Sequence, residues 1–104
     1  MKRVVVRYKV KAERIAEHEA LVRGVFEELA AVRPAGLAYQ ALKLEDGLSF
    51  VHVAAVSTED GSNPLTALAS FKAFAENIAD RLDEKAVSAS GSAVGAYRGA
   101  DTPP

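Results

Sequence analysis

A chain of 104 residues with 13 basic and 14 acidic side chains has a net charge of −1, which gives neither a basic footprint for nucleic acid nor a cationic face for a membrane. At this length one domain with a modest core is expected, and the absence of cysteine removes disulfides, thiolate nucleophiles and sulfur-ligated metals. After Met1-Lys2-Arg3 only Val4, Val5 and Val6 precede Arg7, too short a run for a signal or a membrane span, so a cytoplasmic protein is the expectation.

Residues 3–10 (RVVVRYKV) predict the first strand, with Val4, Val6, Tyr8 and Val10 on one face and Arg3, Val5, Arg7 and Lys9 on the other. Over residues 12–32, apolar side chains at Ile15, Val22, Val25 or Phe26, and Leu29 recur at helical spacing, with charged residues elsewhere around the barrel. Gly24 costs helix stability relative to alanine, which predicts a close backbone approach to the sheet there. Arg33-Pro34-Ala35-Gly36 ends the helix: proline cannot donate the helical hydrogen bond, and glycine permits the turn.

Residues 37–57 (LAYQALKLEDGLSFVHVAAVS) read as a β-hairpin, strands 37–44 and 48–57 about a Glu45-Asp46-Gly47 turn. A two-residue Asp46-Gly47 turn and a three-residue Glu45-Asp46-Gly47 turn with a bulge place Tyr39 on opposite sides relative to His52. In the second strand Val51, Val53 and Ala55 share one face, and Phe50, His52, Ala54 and Val56 the other; both are largely apolar, so both need covering. After the polar loop 57–63, Asn63-Pro64 supplies an N-cap and a first-turn proline for a second helix over residues 64–82, striped by Leu65, Leu68, Phe71, Phe74 or Ala75, Ile78 and Leu82. The last strand is expected over 86–98, with Gly91 and Gly95 marking a bulge or an edge, and residues 99–104 as a flexible tail beyond a single domain over 1–98.

The order β, α, β, β, α, β is the ferredoxin-like α+β sandwich, whose right-handed crossovers put both helices on one face of a four-stranded antiparallel sheet. The second apolar face is then too large a patch for a monomer, which predicts a homodimer built sheet to sheet.

The succession RVVVRYKVKAERI, RPAGLAYQALKLEDGLSFVHVAAVS and ASFKAF, spanning almost the whole chain, resembles the antibiotic biosynthesis monooxygenase family of dimeric α/β barrels. Arg33-Pro34-Ala35-Gly36-Leu37-Ala38-Tyr39 is similar to that family's helix end and tyrosine-bearing strand, with Arg33 in place of an acidic residue and one extra residue. Phe50 and the Phe71 to Phe74 spacing fit, while Ala54 and Ser70 stand where the family more usually shows glutamate and histidine. The resemblance implies oxygenation of a small aromatic, a quinol or polyketide-like molecule, without metal, flavin or other cofactor. Haem-degrading relatives of the fold carry an iron-ligating histidine on the second helix, and this second helix has none.

The sequence contains no G-x-S-x-G elbow, P-loop or G-x-G-x-x-G, and its two histidines make no ligand cluster at metal spacing. His52, in an apolar strand, is the candidate base for a phenolic substrate or else a hydrogen-bonded core histidine. Tyr8 and Tyr39 are candidate hydrogen-bonding partners of a substrate or packing aromatics, and Arg7 is a candidate for an anionic substrate or an ion pair between subunits. Phe26, Phe71 and Phe74 are candidates for an apolar wall that excludes water, or ordinary core. His18, at the border of its helix's stripe, reads as solvated or interfacial. The functional expectation is a cofactor-independent monooxygenase; the alternative is a non-catalytic small-molecule-binding or stress-related dimer.

Overall fold

The computed structural model describes residues 2–100. The valine-rich strand β1 (Lys2–Val10) takes the centre of the sheet, antiparallel both to β3 (Ser49–Val56) and to β4 (Leu82–Gly91), with β2 (Leu37–Lys43) outside β3, giving the order β2-β3-β1-β4. A 3₁₀ turn, Ala12–Arg14, leads into α1 (Ile15–Val32), and a second, Pro64–Ala67, leads into α2 (Ala69–Ala75) and α3 (Ile78–Arg81). Tyr8, Val10, Phe50 and Ala54 of the sheet form one buried cluster with Val25 of α1 and Phe74 of α2, so both helical segments cover the same face, as the crossovers require. No helix among the described residues is long and apolar enough to cross a membrane.

The hairpin closes differently from either turn expected. Leu44 N–H donates to Ser49 C=O at 2.8 Å, so the loop has four residues, 45–48. Asp46 holds it: Oδ1 accepts from the Leu48 and Ser49 amides at 2.9 and 2.8 Å, and Oδ2 accepts from Ser49 Oγ at 2.6 Å. These donors pull the Asp46 carboxyl down to about 2. The pairs Tyr39↔Ala54 and Ala41↔His52 follow, the register a two-residue turn would have set, and Tyr39 therefore shares a face with His52.

The second helix is not continuous over residues 64–82. Leu68 is extended (φ −79°, ψ 132°) between the 3₁₀ turn and α2, and Asn77 adopts the left-handed conformation (φ 56°) between α2 and α3. Asparagine tolerates that region better than most residues. The apolar spacing survives the breaks because the segment winds in place over the sheet, with Phe71 and Ile78 packed against the core. After the second break β4 starts at Leu82, paired with Val10, and ends at Gly91, four residues earlier at its start than expected and seven earlier at its end. Its irregularity lies between Arg7 and Val10, beside Tyr8, not at the glycines. Of the expected tail, residues 101–104 lie outside the described residues.

The close approach expected at Gly24 is absent, since a Cβ there would meet nothing within 4 Å. Gly36 is the constrained glycine. Its φ is +78°, and a Cβ would lie 2.9 Å from Thr58 Cγ2 and 3.3 Å from the Thr58 backbone nitrogen. Gly36→Ala is therefore expected to cost about 1–3 kcal/mol, through a positive φ and a clash with neighbouring backbone. Urea unfolding of the two proteins checks this, and coincident midpoints would refute the strain.

Candidate functional site

Five strand and helix segments deliver a line of polar side chains into the buried face. Alternation on β1 turns Tyr8 inward, where it is 3% exposed, and pairing of Val6 with His52 brings the β3 histidine alongside, 6% exposed. The Tyr8 hydroxyl lies 2.7 Å from His52 Nε2 and 2.6 Å from Nε2 of His18, which comes down from α1 fully buried. The Tyr39 hydroxyl lies 2.5 Å from His52 Nδ1. At the other end Arg81 donates from Nε to His18 Nδ1 at 3.2 Å. One uninterrupted chain results: Arg81, His18, Tyr8, His52, Tyr39.

Arg81 is a buried cation, 3% exposed, held where α2 ends. Its terminal nitrogens donate to the carbonyls of Glu76, at 3.2 Å, and Phe74. Those carbonyls lie at the last turn of α2, the negative end of the helix, where a guanidinium both satisfies orphan acceptors and meets a favourable dipole. Burial depresses its pKa.

Burial also governs the other members. His52 is pushed down to about 4 by desolvation, and His18 to about 4 by desolvation first and then by the Arg81 charge, so both are neutral at physiological pH. Tyr8 is raised well above the ordinary phenol value, by burial first and then by Tyr39, and Tyr39 is raised to about 12 by burial. None of the four histidine and tyrosine side chains is charged near neutrality.

Against this chain lies a cavity of about 160 Å³, lined by Tyr8, Tyr39, His52 and Ala54, with Phe71 and Phe74 as part of its apolar wall. Asn63 also borders it, its Oδ1 committed to capping the Leu65 amide at 3.0 Å. Of the side chains singled out by sequence, Tyr8, Tyr39, His52, Phe71 and Phe74 are thus brought together. Phe26 is not: it stacks on the far side of Tyr39, ring centroids 5.2 Å apart, and faces a separate groove with Leu29, Arg33 and Leu37. Arg7 is not either. It is exposed and paired with Val51 on the opposite face of the sheet, because alternation turns it away from Tyr8.

The two positions that depart from the resembled pattern behave differently from each other. Ala54 lines the cavity with a methyl group, whereas Ser70 sits outside it and donates from its amide and Oγ to Glu28 Oε1 of α1, at 2.9 and 2.6 Å. Neither brings a carboxylate or imidazole to the cavity. No group of three or more histidine, cysteine or acidic side chains that could hold a metal ion occurs among the described residues.

Two members of the chain escaped the sequence reading. His18 is buried, not solvated or interfacial; it stands three residues after Ile15 and four before Val22, on the stripe itself, and that spacing was the available signal. Arg81 had no signal, since its burial depends on the break at Asn77.

No family model matches the sequence, and no curated protein does. Solved structures do. A protein from Nitrosomonas europaea described provisionally as an antibiotic biosynthesis monooxygenase superposes with a TM-score of 0.75 over 91% of this chain and all of that one, at 18% identity. A Caulobacter crescentus protein with the same provisional description reaches 0.67 over 90% of each chain at 25% identity. SnoaB from Streptomyces nogalater, described as a cofactor-independent oxygenase, reaches 0.67 over 91% of this chain and 94% of its own at 20% identity. The resemblance read from the sequence thus holds for the fold: the chain shares the ferredoxin-like architecture of proteins carrying that family's name.

Proposed function

We propose that the protein oxygenates a single-ring phenol or quinol with dioxygen and no cofactor, converting a ring C–H to a quinone carbonyl. The observation that carries this reading is the cavity of about 160 Å³, apolar except where Tyr8, Tyr39, His52 and Asn63 border it. An apolar cavity of roughly 150 Å³ is enough to bind benzene, so one aromatic ring fits inside, and a monocyclic phenol is the simplest substrate of the class expected from sequence.

In the proposed reaction the substrate gives up its phenolic proton to solvent and passes an electron to dioxygen, the two radicals join at a ring carbon, and the ring peroxide regains one proton and loses water to leave the quinone. One oxygen atom stays in the new carbonyl and the other leaves in water; the substrate supplies all four electrons. The chain's contribution is exclusion of water by Phe71 and Phe74 and a hydrogen bond from Tyr39 to the substrate oxygen. Both imidazole nitrogens of His52 are already engaged, by Tyr8 and Tyr39, so the role that fits it is to hold Tyr39 in place, in preference to the base expected from sequence. Oxygen uptake with a panel of monocyclic phenols and quinols tests the reading; uptake with none of them overturns it.

That same engagement of His52 favours one rival, a non-catalytic binder of small aromatics. Binding of a monocyclic phenol without oxygen consumption would decide for it.

The proposal includes a second copy of the chain. On the face away from the helices, Leu42, Val51, Arg7 and Val87 form one row across the strands, and Gln40, Val53, Val5 and Ala89 form the next. Val5, Leu42 and Val87 are 40%, 43% and 69% exposed in the single chain, a patch that packing two sheets about a two-fold axis would cover. Light scattering is expected to report a dimer at micromolar concentration, and Val53→Asp to weaken it at least ~100-fold by placing a charge in a desolvated centre. A native monomer would remove this part of the proposal.

A further inference from the structure

We infer that Arg81 sets the direction of the whole hydrogen-bond chain and so makes Tyr39 a hydrogen-bond donor to the cavity, which selects ligands presenting a strong oxygen acceptor, a phenolate or quinone-type carbonyl. The inference rests on the proposed reading of the cavity as a ring-binding site.

A guanidinium has N–H donors and no acceptor. Because Arg81 Nε–H points at His18 Nδ1, that nitrogen offers its lone pair, and a neutral imidazole must then carry its one proton on Nε2. The proton faces the Tyr8 oxygen, 2.6 Å away. Tyr8 has one proton to give and one remaining neighbour, His52 Nε2 at 2.7 Å, which therefore accepts. The His52 proton is left on Nδ1 and donated to the Tyr39 oxygen at 2.5 Å. The Tyr39 proton has no acceptor among the described residues, and Tyr39 lines the cavity.

Reversal at any link carries a penalty. If His52 donated from Nε2, Tyr8 would receive two N–H groups and its own proton would have no acceptor in a site only 3% exposed. Turning Arg81 away would break its bonds to the Phe74 and Glu76 carbonyls. The chain thus transmits a choice made at α3, through α1, β1 and β3, to an atom on β2. Arg81 and His18 are positioning residues, since neither lines the cavity.

Nitrogen NMR of the native protein reads the direction at once: His18 is expected as the Nε2–H tautomer and His52 as the Nδ1–H tautomer. The opposite tautomer at His52 overturns the inference whatever the ligand does. The second measurement is the ionisation of bound 4-nitrophenol, followed by its visible absorbance. The bound probe is expected to ionise with an acid constant about 10-fold larger in the native protein than in Tyr39→Phe, one pH unit in midpoint. Arg81→Met frees His18 to hold either tautomer and is expected to lose most of that difference, which a purely structural arginine would leave unchanged. Equal midpoints in native protein and Tyr39→Phe overturn the inference even where Arg81→Met fails to fold. A probe that does not bind sinks the ring-binding reading instead, and the tautomers still decide the direction.

Discussion

Between about pH 7 and pH 5 the folded state is expected to lose about 3 kcal/mol of stability, with unfolding taking up more than one proton per molecule near the lower end. The sign follows from His18 and His52. Each titrates near 4 when folded against an ordinary 6.5 when unfolded, so between those values the unfolded state binds the extra protons and stability rises with pH. The contribution is complete above 6.5 and disappears as the pH falls toward 4. The groups facing them reinforce this: Arg81 opposes a charge on His18, Tyr8 and Tyr39 stay neutral, and Glu17 and Glu19 offset it only as the smallest influences on His18. The carboxylates do not blur the window. Asp46, Glu17, Glu19, Glu28 and Asp60 are all held below their ordinary values of 3.8 or 4.5, so their stabilisation starts to be lost only as the pH falls below those values. Urea titrations at the two pH values check the expectation. Equal stability would mean that the histidines are hydrated and the chain from Arg81 to Tyr39 is not assembled.

What the sequence made legible was what depends on near neighbours. Valine-rich runs, the Asp46-Gly47 pair, and proline and glycine after α1 act within a few residues, and the strands and the sheet order follow from them. What it left illegible depended on distance. Whether Tyr8 and His52 share a face is set by the pairing of Val6 with His52, 46 positions apart in the chain, and that pairing is what separates Arg7 from His52. The hairpin register waited on which amides Asp46 would accept. His18 was readable from spacing, but histidine is usually expected at a surface; the geometry that buries it is supplied by Tyr8 and Arg81 from other elements. The candidate site was therefore half visible: Tyr8, Tyr39, His52, Phe71 and Phe74 stood out in the sequence, His18 was signalled by its spacing alone, and Arg81 emerged only in the fold.

Tyr39→Phe is expected to lower kcat/KM for oxygenation of a monocyclic phenol by about 100-fold, the cost of removing one positioned donor from a developing or resident oxyanion. The ring and its stacking on Phe26 remain, so binding of an uncharged aromatic without a hydroxyl should change little. Stability should fall by about 1–3 kcal/mol, because the deleted hydroxyl leaves the buried His52 Nδ1–H without its acceptor. His52→Ala acts on the same atom from behind: it removes the group that holds Tyr39 and leaves Tyr8 without its acceptor, so activity falls and stability falls with it. The pair separates two mechanisms. If His52 were the proton acceptor, His52→Ala would be inactive while Tyr39→Phe stayed within a few-fold of the native rate. If His52 works through Tyr39, the two variants lose activity to a similar extent and the double variant loses no more than either. Oxygen-electrode rates for the three proteins with one phenol therefore test whether the proton that matters at this site is taken by an imidazole or offered by a tyrosine.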